Sequence, residues 1–360
     1  MMRPRTPADP ARWLAVVIAS AALVGPGLGC GDDTRGGATK AGPARGASSD
    51  GIPRAAPLGD YVLVGPAGAT AFEPPPAQPS GATGVHVGRG FGFLPTGQTR
   101  TAGGRRYLRI FDGRWLPEAD LTHVRPSRFA GARLAPGESL LFGWTTSPDA
   151  SVFADPDDHA PRLSARPRGA RVTLSGACRA GFCPLAVGWM RAGDLARPNA
   201  APRPGDVGPR ERWIDVDLSS QTLVAYEGDA PRFATLVATG IGVPGSPFET
   251  PSGVFRIRSK HAVVRMDNLE HSGVDPYAYD VPLTQYFSEG KALHAAPWHD
   301  QLGHPRSHGC INLSPEDARW LFDFTAPRLG AGEAAVFSSR ARPGTLVRVR
   351  GEPPLVPRRL

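Results

Sequence analysis

Only one stretch of this 360-residue chain, SPEDARWLFDFTA at 314–326, reads clearly as an α-helix. Ser314 stands at the N-cap, Pro315 fits the first turn, Glu316 and Asp317 face the positive end of the helix dipole, and Trp320, Leu321 and Phe324 supply an apolar side. Elsewhere 44 glycines and 39 prolines punctuate short alternating runs such as RWIDVDLSSQTLVAYEG at 212–228, the pattern of strands joined by turns. A mostly β protein follows. A hydrophobic fraction of 41% is ordinary for a globular chain and, at this length, fills two or three cores.

The net charge is +8, carried almost wholly by arginine, since Lys40, Lys260 and Lys291 are the only lysines. The arginines are scattered singly among Asp and Glu. That reads as a solvated surface rather than a nucleic-acid footprint, and no nucleic-acid partner is expected. It leaves room for weak attraction to an anionic cell envelope.

The first thirty residues set the compartment. A positive leader, MMRPRTPADPAR, precedes an apolar run, WLAVVIASAALVG, that is short for a membrane span, and then PGLGC ends at Cys30. Residues 1–30 therefore read as a secretory signal. Cys30 resembles the acylated cysteine of bacterial lipoproteins, which implies a lipid anchor in the membrane; ordinary cleavage and an uncleaved anchor are the alternatives. All three readings export the chain to the cell envelope or periplasm. In that oxidising setting Cys178 and Cys183, flanking RAGF, are disulfide candidates, the alternative being two free core thiols. Cys310 is left without a partner, and an unpaired thiol in an exported protein calls for a reason.

Residues 31–57 are rich in Gly, Ala, Ser and Pro and read as a flexible linker. Two sets of short β-like runs follow, at 58–125 and 135–196, with similar endings, DGRWLPEADL and AVGWMRAGDL. Each set is about the size of a small barrel, and together they resemble the SH3-like β-barrels that precede some bacterial cell-wall enzymes; a single irregular β domain is the alternative. A Pro-rich linker at 197–210 marks a boundary.

The densest chemistry lies between 294 and 312, where His294, His299, His304 and His308 accompany Cys310. Histidines five apart in a Gly/Pro-rich loop fit neither a helical histidine pair nor a cysteine knuckle, so no metal is expected. Nucleophilic chemistry fits better. A thiolate attacks carbonyls, and a cysteine needs a neighbouring base or cation to supply one. His294 and His308 are the candidates. A residue two before the nucleophile on a tight turn points elsewhere, whereas His294, arriving from another strand, can face the sulfur. The successive amides of His308, Gly309 and Cys310 are placed to converge on an oxyanion.

SHGCIN at 307–312, HAAPW at 294–298, IDVDLSSQTLVAYEG at 214–228 and the Thr-Pro-x-Gly-x-Phe segment at 250–255 together resemble bacterial L,D-transpeptidases with the YkuD-type catalytic domain. The resemblance covers residues 211–350 and implies a β-sandwich with few short helices. It implies Cys310 as nucleophile, His294 as proton acceptor and donor, His308 and Gly309 with Cys310 in the oxyanion segment, and Ser307 and Asn312 in support. Ala295 stands where some members have a serine, a position whose role runs through its backbone carbonyl. His299 and His304 match no motif position and are expected at the surface.

By resemblance the partners are peptidoglycan stem peptides, with no cofactor, and the protein is a monomer. Cys310 would form a thioester at diaminopimelate of a tetrapeptide stem, release D-alanine and pass the acyl group to an amine, giving a 3→3 cross-link. Water as acceptor would make it a carboxypeptidase or hydrolase, and a protein lysine would make it an anchoring enzyme. Acylation by carbapenem-type β-lactams is also implied. The rival reading is a non-catalytic wall-binding lipoprotein. Residues 58–196 are expected to serve wall association more than chemistry.

Overall fold

The computed structural model describes residues 60–77, 83–269 and 276–354, all within one compact unit. Cys30, the leader and the linker at 31–57 lie outside the described residues. The fold is mostly β, with Pro315–Phe324 the single α-helix among the described residues. Among the described residues no helix is long and apolar enough to cross a membrane.

The alternation at 212–227 builds the centre of a six-stranded sheet. Its order is Gly253–Arg256, Leu346–Arg350, Arg212–Asp217, Thr222–Glu227, Ala230–Leu236 and Ala132–Arg133, and Leu346–Arg350 lies parallel to Arg212–Asp217. Alternate side chains enter different cores. Ile214, Val216, Leu223, Ala225 and Phe233 pack against a second sheet and the helix. Trp213, Val224, Tyr226, Ala234 and Leu236 point the other way, where Phe142, Trp144 and Ala196 cover them. Both faces of the sheet are therefore dry, and residues from 132 to 207 supply the second cover.

The second sheet carries the motif residues. Its core runs Ile311–Leu313, Lys291–Ala295, Ala278–Ser288, with Ser259–Asp267 antiparallel to the last of these. At Tyr279 it continues across a parallel pairing with Gly92 into Gly92–Phe93, Tyr61–Val64 and Leu121–Val124. The first small β unit thus extends the same sheet. Tyr61 donates its hydroxyl proton to the Asp280 carbonyl at 3.1 Å, and the buried Asp280 carboxylate takes the Leu94 amide and Arg265.

The two similar sequence endings adopt the same local structure. In each, a short strand starting at Trp115 or Trp189 runs into a 3-10 turn, Glu118–Asp120 or Ala192–Asp194, and then a strand starting at Leu121 or Leu195. A disulfide joins Cys178 and Cys183 in the second unit.

At the helix, the Ser314 side chain accepts the Asp317 amide at 3.2 Å, the cap its sequence predicts. Ala318, Leu321 and Phe322 form the buried face, while Trp320 and Phe324 stack on each other beside it. No basic residue lies in the last turn. Lys260 supplies the missing cation from a strand, fully buried, donating to the carbonyls of Phe322 and of Thr325 (3.0 Å). Burial pushes its pKa down to about 7.

Candidate active site

Lys291–Ala295 and Ile311–Leu313 are adjacent parallel strands in which Leu293 faces Ile311 and His294 faces Asn312. The period of two decides which residues share a face. Leu293, Ala295, Ile311 and Leu313 fill the sandwich core. Ala292, His294 and Asn312 lie on the opposite face, and the Cys310 sulfur lies 3.8 Å from the Gly290 carbonyl. Cys310 immediately precedes Ile311–Leu313, at the end of the strand that lies beside the His294 strand.

His294 is 3% exposed and its Nδ1 lies 2.9 Å from the Ala295 carbonyl. A carbonyl only accepts, so Nδ1 carries the ring proton and Nε2 is left as a base. Burial pushes its pKa down to about 4, which keeps it neutral at pH 7. Burial pushes the Cys310 thiol up, while the Ala292 amide and the Lys291 charge pull it back. Burial thus shifts both groups towards their neutral forms.

The loop before Cys310 is held by its carbonyls. Lys291 Nζ donates to His308 O at 2.9 Å, Thr250 Oγ1 to Gly309 O at 2.9 Å, and Ser307 Oγ to Cys310 O at 2.5 Å. Thr250 Oγ1 in turn accepts the Gly240 amide at 2.8 Å. Three successive carbonyls pinned by three side chains fix how the intervening amides point. Ser307 Oγ also takes the Gly309 amide at 3.1 Å, so within the sequence-predicted segment the amides of His308 and Cys310 are the donors left for an oxyanion. Gly309 has φ +108°, and a Cβ there would meet Glu249 O at 2.5 Å and Lys291 Nζ at 2.3 Å. No other residue fits.

His299 departs from the surface placement expected of it. Its Nε2 lies 2.8 Å from the Asn312 side-chain amide, and the Gln301 amide donates to Nδ1 at 3.2 Å. Burial of the ring pushes its pKa to about 4. The spacing of HAAPWH held no sign of this, because the contact depends on how the loop after Trp298 folds back over Asn312. His304 is exposed, with Nε2 3.4 Å from the Thr146 carbonyl. His308 is exposed beside the loop, its ring stacked on Tyr277 at 5.1 Å and tilted 4.9 Å from Phe248.

Aromatic side chains extend this wall. Trp298 lies 5.8 Å from His294 and stacks on Tyr279 at 4.7 Å, with Tyr61 of the first small unit 5.6 Å away. Among the described residues no three His, Cys, Asp or Glu side chains gather as a metal would require. Two open clefts of about 350 and 430 Å³ flank Arg212, Phe324 and Arg328. They share no residue with the cluster around Cys310.

Residues 211–349 match the YkuD family, the L,D-transpeptidase catalytic domain. The chain carries a YkuD-type L,D-transpeptidase catalytic domain. It is 37% identical over 118 residues to L,D-transpeptidase 1 of Mycobacterium tuberculosis, covering 29% of this chain and 43% of the relative. Against L,D-transpeptidase 2 of the same species it is 33% identical over 92 residues, covering 24% of this chain and 22% of the relative. The chain spans less than half the length of both curated relatives. Among solved structures it aligns with the catalytic domain of the E. faecium L,D-transpeptidase at 24% identity and a TM-score of 0.29, covering 39% of this chain and 98% of that one. With M. tuberculosis L,D-transpeptidase 1 the identity is 25% and the TM-score 0.28, covering 39% and 62%.

Two results are expected of this catalytic domain. Because His294 and His299 are held neutral, protonating them favours the unfolded chain, where a histidine titrates near 6.5. Stability is retained above pH 6.5 and falls as pH drops towards 4, by on the order of 3 kcal/mol for His294 alone. Urea unfolding at pH 7 and pH 4.5 measures the loss, and His299→Gln should reduce it. Thr250→Val leaves the Gly240 amide and Gly309 carbonyl unpaired, at a cost of about 1–3 kcal/mol for each buried group. Thermal melting of that variant should show the loss, with a turnover that falls as the loop loosens.

Proposed function

We propose that this protein is a peptidoglycan L,D-transpeptidase of the cell envelope, exported by residues 1–30 and anchored through a lipid on Cys30. The observation that supports the reading is a buried His294, its tautomer set by the Ala295 carbonyl, on the strand that pairs with the one Cys310 immediately precedes. That is the arrangement a general base needs to take a thiol proton as the sulfur attacks.

In this reading the acyl donor is a tetrapeptide stem. Cys310 Sγ attacks the carbonyl joining diaminopimelate to the terminal D-alanine while His294 Nε2 takes the thiol proton. The tetrahedral oxygen sits against the amides of His308 and Cys310. On collapse His294 returns the proton to the departing D-alanine amine, leaving a thioester on Cys310. The side-chain amine of a neighbouring stem then attacks, losing its proton to His294, and the thiol leaves as the 3→3 cross-link forms. The aromatic wall of Tyr277, Tyr279 and Trp298 supports the reading by offering an apolar flank to the stem peptide.

The test uses the exported portion and purified tetrapeptide muropeptides, with products read by mass spectrometry. Release of D-alanine by the wild type and its loss in Cys310→Ser is the expected result. No release by the wild type, or equal release by the serine variant, would sink the reading. The product mass separates an amine acceptor from water.

A further inference from the structure

The lysine beside Cys310 is explained by no motif. Lys291 opens the His294 strand directly after the turn at Gly290, and two carbonyls, Pro247 O at 2.7 Å and His308 O at 2.9 Å, take two of its three N–H donors. Its Nζ lies so close to Gly309 that a Cβ there would stand 2.3 Å from it. Cys310 Sγ is 3.8 Å from the carbonyl of Gly290, the residue preceding Lys291. The ammonium therefore lies against Gly309, the residue before Cys310, and the sulfur against Gly290, the residue before Lys291.

The charges around the pair are few. His294 is neutral at pH 7, and burial together with the Lys291 charge holds His308 down. Burial raises Tyr277 and Tyr286, and each also feels Cys310. Glu249 faces Lys291 from the opposite loop and helps keep it protonated against its burial. Among the described residues Lys291 is the cation whose charge lowers the Cys310 thiol, and the sulfur acts back on it. A site whose base is a neutral imidazole has no resident imidazolium to balance a thiolate, so a fixed ammonium meets a need the motif leaves open.

We propose that Lys291 is a positioning residue with an electrostatic task. It pins the His308 carbonyl and so holds the loop before Cys310 in place, and its charge stabilises the negative sulfur of Cys310 as the proton leaves. The role in turnover rests on the transpeptidase reading; the effect on the thiol does not.

The test is the pH dependence of Cys310 alkylation by iodoacetamide in the full exported chain. Lys291→Gln keeps a donor for the His308 carbonyl but no charge, and should move the midpoint upward by about one pH unit, slowing alkylation near pH 7 about tenfold. Lys291→Arg keeps the charge and should restore the midpoint. Thr250→Val loosens the same loop without touching charge and should leave the midpoint in place. If the glutamine variant does not fold, acetylation of the folded wild type asks the same question, since Lys260 is fully buried and Lys40 lies far away in sequence; hydroxylamine first clears acetyl groups from sulfur. A wild-type midpoint without the Lys291 charge, or an equal shift in Thr250→Val, overturns the proposal. A shift without D-alanine release by the wild type leaves it standing while the transpeptidase reading falls.

Discussion

His294→Gln is expected to slow D-alanine release at pH 7 by about 10²- to 10⁴-fold, the range a positioned general base supplies. Glutamine can still bond the Ala295 carbonyl, so the strand register should survive. What goes is the acceptor for the thiol proton. Because burial shifts both partners towards their neutral forms, with Cys310 raised and His294 lowered to about 4, the thiolate must be made at the moment of attack. Alkylation of Cys310 in the variant should therefore recover as pH rises and hydroxide replaces the imidazole. In the wild type, kcat/KM should hold down to about pH 5 and fall only as His294 gains a proton near 4. An acid limb at the ordinary histidine value near 6.5 would contradict a buried base, and undiminished release by His294→Gln at pH 7 would remove His294 from the mechanism.

A fragment containing only residues 211–354 is expected to lose cooperative folding. The central sheet buries Trp213, Val224, Tyr226, Leu236 and Leu346 beneath Phe142, Trp144 and Ala196, and Phe233 and Ala234 pair with Ala132–Arg133. The Gly131 amide donates to the helix residue Asp317 at 2.9 Å, and Arg168 to the Leu302 carbonyl at 2.8 Å. Each large side chain uncovered forfeits about 1.5–3 kcal/mol of burial, and a domain holds only about 5–15 in all. Removing residues 60–125 alone is a milder change. That deletion takes away the Gly92 pairing and the Tyr61 contact with Trp298, so the Ala278–Ser288 strand should loosen while the main cores persist. Thermal unfolding of the two truncations beside the full chain gives the comparison. A cooperative melt of 211–354 within a few degrees of the intact protein would show the second cover to be dispensable. The sequence suggested that residues 58–196 chiefly serve wall association; the shared core gives them a structural part in the catalytic domain as well.

Local and chemical features were legible in the chain. Short alternating runs broken by Gly and Pro predicted the strands, and Ser314-Pro315 with two acidic residues marked the one helix at its observed start. Cys310, His294, Ser307, Gly309 and Asn312 could be named because their chemistry and their neighbours in sequence travel together. What the linear order hid were contacts made across strands. The pleat and register put His294 and Asn312 on the face away from the core. Folding back of the loop after Trp298 seals His299 against Asn312, and Lys260 reaches the helix end from a strand more than fifty residues earlier. Lys291 carried no signal because its meaning lies in two carbonyls, from Pro247 and His308, that only the closed sheet brings to one ammonium. Residue types and periodicity determine which chemistry a chain can host and which elements it builds. Which groups are dry, and hence which are charged, is decided only when distant segments exclude water together, as they do over His294.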